Sequence, residues 1–180
     1  METDQFYEEQ KFNQKWIKIL IYFILIILAA LSFILIYTGK LNWILGMLPS
    51  LFGIILFIFF ISAKLKTIIC DHEIIYQFIP FQFTARKIKK EMINSIKVIN
   101  YDPLSEYGGW GIRFNGNEWA YTTSGNFGIK IKLNTGKQLI IGTSRPKEVT
   151  MFLEKYWLTI FQPSNFYIEK KWTPEDKKNC

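Results

Sequence analysis

The chain has 180 residues, 49% hydrophobic and 17% aromatic, with a formal net charge of +7. Its two cysteines, Cys70 and Cys180, form no CxxC pair, which excludes a disulfide framework and a zinc-binding spacing. Residues 1–63 balance four Lys against four Asp/Glu, so the whole excess, 18 Lys/Arg against 11 Asp/Glu, follows residue 63. Such a balance fits nucleic acid or a cytoplasmic domain beside anionic lipid.

In chain order, residues 1–16 read as a short, partly ordered polar segment that ends on an interfacial Trp16 between Lys15 and Lys18. Lys18 and Lys40 then bracket 21 uncharged residues, and Lys40 and Lys64 bracket 23 more. At about 1.5 Å per residue, each run can cross a hydrocarbon core of about 30 Å. Two buried core helices would need a larger soluble protein to wrap them. The first run exceeds the roughly 7–15 apolar residues of a signal peptide and lacks a small-x-small cleavage site. It is therefore expected to be retained.

The expected spans are 17–37 and 42–62, within a transmembrane hairpin of residues 17–63. The connection Thr38-Gly39-Lys40-Leu41-Asn42 is short enough to make the helices antiparallel, with Tyr37 and Trp43 at the opposite interface. Pro49 predicts a bend in the second span, and Gly46 and Gly53, on roughly one face, predict close approach of the first helix. Neither span carries the deep ionisable groups that mark ion pathways. Lysines concentrate before the first span and after the second, with one in the hairpin loop. The positive-inside rule thus predicts a multi-pass protein of the cell (inner) membrane with both termini cytoplasmic.

After Ala63 the hydrophobic period changes to two. Strands are expected over 64–70 and 73–79 around an Asp71-His72 turn, then over 81–88. A short turn and a strand follow within 90–101, then strands over 109–114, 119–123, 128–133 and 138–143. In the cleanest of these, Ile129, Ile131 and Leu133 face one way and Lys130 and Lys132 the other. Pro146 and Glu148 suit a helix start, and Val149, Phe152, Leu153, Tyr156 and Ile160 form an amphipathic stripe over 146–160. The tail, 162–180, reads as weakly ordered.

Antiparallel strands in hairpins followed by one amphipathic helix resemble a pleckstrin-homology-like (PH-like) domain, here residues 64–161. The motifs GGWGIR, AYTTSGNFGIKIKL and GKQLIIGTSRPKEV are similar to a group of small prokaryotic membrane proteins with two N-terminal helices and such a domain. The resemblance implies an α+β membrane protein, a two-helix hairpin followed by an antiparallel β-barrel or sandwich capped by a C-terminal helix. It implies a location and no activity. Headgroup binding through the first strand–strand loop does not carry over, because that loop, Cys70 to Glu73, is acidic.

No catalytic, cofactor or metal site is expected. Gly109 and Gly111 begin a G-x-G-x-x-G pattern, but Phe114 fills its last position and no helix follows. Gly125 and Gly128 match a GxxG spacing between strands, where turns and bulges explain them. Cys70, Asp71, His72 and Glu73 gather metal-capable groups, yet they alternate across a strand and read first as a turn. Cys70 and His72 as nucleophile and base lack an orienting third group.

The strongest charge constellation is Lys64, Lys66, Arg86, Lys87, Lys89 and Lys90, either a lysine-protected strand edge or a contact for anionic lipid headgroups. Nucleic acid is not expected, since the aromatics fit core positions rather than a stacking row. The chain thus reads as a non-enzymatic membrane protein presenting a cytoplasmic domain to a protein or the membrane surface. The alternative is an accessory subunit of a transporter or envelope enzyme docking through its hairpin.

Overall fold

The computed structural model describes residues 5–39 and 42–162. The hairpin loop's Lys40 and the tail from residue 163, with Cys180, lie outside the described residues. The chain divides into two compact units, residues 12–64 and residues up to Lys11 joined with those from Leu65 onward.

In the first unit, α1 spans Lys15–Tyr37. The second apolar run is broken into α2, Trp43–Gly46, and α3, Leu48–Ser62. The break falls at Met47, and Pro49 sits in the first turn of α3, where its missing N–H costs nothing. Both apolar segments are long enough to cross a membrane by length and composition. The pattern of burial is inverted relative to a soluble helix pair. Large apolar side chains point outward, Ile19 at 67% and Phe33 at 68% exposure, whereas the buried residues include Ser32, Gly46 and Gly53. Helices that show apolar groups all round need an apolar surrounding.

Small residues set the approach of α1. A Cβ on Gly46 would overlap Ile36 Cγ1, and one on Gly53 would lie 2.9 Å from Leu28 Cδ1. Ser32, an isolated polar residue within the first apolar run, supplies the polar contact. Its Oγ accepts from Ser50 N at 3.1 Å and lies 2.8 Å from Ser50 Oγ. An N–H in the first turn of α3 has no intrahelical partner, and Ser32 provides one where water would be absent.

The second unit holds two sheets. In the first, β1 (Phe6–Lys11), β2 (Lys64–Ile69), β3 (Glu73–Ile79) and β4 (Arg86–Lys89) lie in that order. The second contains β5 (Ile93–Asn100), β6 (Gly111–Phe114), β7 (Glu118–Thr122), β8 (Phe127–Leu133) and β9 (Gln138–Gly142), ordered β5-β8-β9-β7-β6. Two short elements precede and follow β5, a 3-10 turn at Lys90–Met92 and α4 at Pro103–Tyr107. Helix α5 covers Pro146–Tyr156.

Beside the strand expected over 81–88, which is a loop until β4 begins at Arg86, three expectations need correction. The sheets do not close into a barrel, and they are not wholly antiparallel. Strands β7 and β9 run parallel, because β9 inserts between β7 and β8 rather than only pairing back on its predecessor. The final helix also stops at Tyr156. Trp157 turns inward to full burial and donates from Nε1 to Cys70 O at 2.9 Å. The chain beyond it lies against β5, where Ile96 N donates to Ile160 O at 3.0 Å and Gln162 N to Ile96 O at 2.8 Å. This covers one sheet edge with main chain, which removes an aggregation-prone row of unpaired groups.

The third correction concerns residues 1–16. Their middle is strand β1, alternately buried and exposed, and its inward residues Glu8 and Gln10 are polar. The buried Glu8 carboxylate accepts from Thr143 Oγ1 at 2.7 Å and Ser144 N at 2.8 Å, with Ser144 Oγ at 2.5 Å. Gln10 Nε2 donates to Gly142 O at 2.7 Å and its Oε1 accepts from Thr123 at 3.3 Å. Arg145 donates to Tyr7 O and lies over the Phe6 ring at 4.7 Å. A strand with two polar residues among its three inward positions gives no amphipathic signal, so it reads as a solvated segment.

Two outcomes follow. Gly53→Leu should lower thermal stability in detergent by about 1–3 kcal/mol through overpacking, and Leu28→Ala should restore part of the loss in a double-mutant cycle. Glu8→Ala should lower the stability of the sheet unit by about 3 kcal/mol in urea titrations, because charge-assisted bonds are lost and their buried donors are stranded. A chain starting at Lys64 should be destabilised further, and fusing residues 5–11 to it should recover stability.

Candidate functional site

Burial alternates along β1, β2 and β3, and the register of β4 on β3 extends the two faces to the fourth strand. The inward face carries Phe6, Leu65, Ile69, Ile74, Phe78 and Ile88. The outward face carries five lysines, Lys11, Lys64, Lys66, Lys87 and Lys89, against two glutamates, Glu9 and Glu73. The parity of alternation, and not proximity in sequence, gathers them.

The six cations singled out from sequence separate on this frame. Lys64 and Lys66 lie on outward positions of β2, and Lys66 Nζ is 3.9 Å from Glu9. Lys87 is outward on β4 and 3.4 Å from Glu73. Lys89 is outward and exposed, opposite Glu73 in register. Arg86 has the opposite parity and pairs in register with Tyr76 at the sheet edge. Lys90 leaves the group altogether. Its Nζ donates to Tyr156 O at 2.6 Å and stands 5.2 Å from the Trp157 ring centre, so it ties α5 to the sheet. Lys11 belongs to the face but was invisible as a member, since the whole hairpin separates it from β2.

The other sequence constellations resolve as architecture. Cys70 to Glu73 is the turn between β2 and β3, where Cys70 N donates to Glu73 O at 2.9 Å. The Asp71 carboxylate contacts His72 Nδ1, and this contact holds the Asp71 carboxyl below its ordinary range. Burial, with Glu73 and Asp71 adding, pushes the Cys70 thiol up, which keeps it protonated and a poor nucleophile. Among the described residues no three His, Cys, Asp or Glu groups assemble into a metal cradle. Gly109 and Gly111 have φ of 121° and 119°, so they turn the chain from α4 into β6 rather than open a helix toward a phosphate.

A second polar cluster had no sequence signal. It lies on the face of the second sheet that carries Ala120 and Ile140, packed with Tyr101 and Tyr107. Tyr107 donates from its hydroxyl to Glu118 Oε1 at 2.5 Å, and Lys130 Nζ reaches Glu118 Oε2 at 2.8 Å. Register places Ala120, Ile140 and Lys130 in one row across β7, β9 and β8. Burial, reinforced by the Glu118 carboxylate, raises the Tyr107 phenol, and burial, with the Glu106 carboxylate adding and Thr122 opposing, raises that of Tyr101 to about 12. Tyr107, Glu118 and Lys130 are thus engaged with one another, and the Tyr107–Glu118 bond helps hold α4 on the sheet.

These phenols give a pH dependence with a definite sign. Their folded values lie above the ordinary value of 10.0, so the unfolded chain ionises first. Stability should hold below pH 10 and fall as pH rises toward 12, with the Tyr101 share on the order of 2–3 kcal/mol. Urea midpoints measured across that range should flatten in Tyr101→Phe.

Compared with known proteins, the chain matches no family model and no curated sequence.

Proposed function

We propose that the chain is a non-enzymatic integral membrane protein whose PH-like domain works at the cytoplasmic surface of the cell membrane, holding anionic headgroups against the outward face of its first sheet. One observation carries this reading, the concentration of five lysines against two glutamates on that face. Each Lys or Arg near an anionic surface contributes about 1 kcal/mol. A net excess of three charges therefore corresponds to about 3 kcal/mol, on the order of a hundredfold in surface-bound population. Only Ala63 separates α3 from β2, so the domain is tethered to any bilayer the hairpin occupies. Tethering raises the effective concentration of that surface, and weak contacts then suffice.

Docking of the hairpin into a transporter or enzyme has less support. The glycines and serine that would favour close helix contact, Gly46, Gly53 and Ser32, are spent on contacts within the hairpin.

The test is acetylation footprinting of the full chain in vesicles with and without phosphatidylglycerol. Lys66, Lys87 and Lys89 should react several-fold more slowly when anionic lipid is present. Lys90, tied to Tyr156 and Trp157, should not respond. High salt should remove the protection, and Lys87→Glu with Lys89→Glu should remove it from Lys66. Equal rates in both lipids would overturn the reading.

A further inference from the structure

The loop between β3 and β4 presents aromatic side chains to the outside. Phe83 is 95% exposed and Phe81 54% exposed. Together they place an exposed aromatic patch on one loop of an otherwise well-packed unit, and such a patch marks a contact surface. The exposure is built in, because the loop is clamped from within. Gln82 N donates to Phe78 O at 2.8 Å and Gln82 Oε1 accepts from Phe78 N at 2.9 Å. Gln77 Nε2 donates to Gln82 O at 3.1 Å and Phe83 O at 3.2 Å. The Phe81 ring meets that of Phe78 edge-on, with centres 5.5 Å apart. The core thus supports Phe81, and Phe83 projects past it.

The position of the loop defines what could cover it. Three residues, Cys70 to His72, join β2 to β3, and neighbouring strands joined so tightly run antiparallel. The β3–β4 loop therefore leaves the sheet at the end where β2 begins, at Lys64. Tyr76 and Arg86 form the register pair nearest the loop, with Lys87 next to it. Asp71 lies in the turn at the opposite end. Aromatic tip and flanking cations thus share the end at which the chain passes from the apolar hairpin into the sheet.

The geometry points to the 80–85 loop as a membrane-inserting wedge. Phe83, seconded by Phe81, enters the boundary between headgroups and acyl chains of an anionic bilayer while Lys64, Arg86 and Lys87 meet the phosphates. Aromatic groups gain at that boundary, and cationic neighbours select for anionic lipid. This rests on the surface-binding reading above and names the part of the domain that enters the lipid.

A para-fluorophenylalanine at position 83 of the full chain, reconstituted in phosphatidylglycerol-containing vesicles, reports insertion by fluorine NMR. At so exposed a position the substitution leaves the fold intact. Dissolved oxygen, which partitions into lipid, should relax the reporter several-fold more than a water-soluble paramagnetic chelate. Arg86→Glu with Lys87→Glu should reverse that ratio. Stronger relaxation by the chelate, or a reporter shielded from both agents as in a protein contact, would overturn the wedge. The lysine footprint separates the two readings. Protected lysines with an aqueous reporter leave surface binding standing and sink the wedge. Unprotected lysines with a lipid-exposed reporter sink the electrostatic reading and support insertion.

Discussion

The sheet unit depends on a strand that precedes the hairpin. The Glu8 carboxylate, buried to 4% exposure, is satisfied by Thr143 and Ser144, more than a hundred residues away. A buried carboxylate without such partners would cost several kcal/mol, so the strand and the 143–144 corner must form together. Gln10 repeats the arrangement one inward position later, against Gly142 and Thr123. Because β1 and β2 are hydrogen-bonded neighbours, the segments entering and leaving the hairpin are stitched into one sheet. A fold that needs both ends of the hairpin side by side cannot complete until the hairpin itself has closed.

The hairpin closes by means suited to an apolar solvent. In water, helices are driven together by burial of large side chains. Here those side chains face outward, and contact is made where side chains are missing, at Gly46 and Gly53, and where an N–H needs an acceptor, at Ser50. Without a hydrophobic drive between helices, close packing and interhelical hydrogen bonds are the remaining sources of attraction. The same pattern would be unstable in water. It therefore supports bilayer association more directly than the length of the apolar runs does.

Much of this order was legible in the sequence. The two uncharged runs, the break near Pro49, the change of period after Ala63 and the alternation around Ile129 and Ile131 each reflect a local rule with one dominant outcome. What stayed hidden depended on long-range pairing. Strand β1 is masked by its polar inward face, and the parallel β7–β9 pair arises from the insertion of a later strand. Trp157 continues the helical stripe in sequence yet is placed by a turn and by the Cys70 carbonyl. The candidate site divides the same way. The run from Arg86 to Lys90 looked like one cluster because its charges are adjacent, but strand parity separates Arg86 from Lys87 and Lys89, and the 3-10 turn after β4 carries Lys90 to the Tyr156 carbonyl. Lys11 joins the face only through β1.

Parity also explains why a basic strand edge and an aromatic loop can serve together. A sheet face presents charges at fixed spacing, and its salt bridges are long, 3.9 Å for Lys66–Glu9 and 3.4 Å for Lys87–Glu73. Exposed pairs of this kind contribute little to stability, so exchanging glutamate for phosphate as the counterion loses little. Electrostatic attraction alone would leave such a face hovering within a screening length of the surface, with no preferred orientation. A rigid aromatic side chain at one end supplies the missing directionality, because it gains only when that end points into lipid. The Gln77 and Gln82 clamp matters for the same reason, since a floppy loop would lose on ordering what Phe83 gains on insertion.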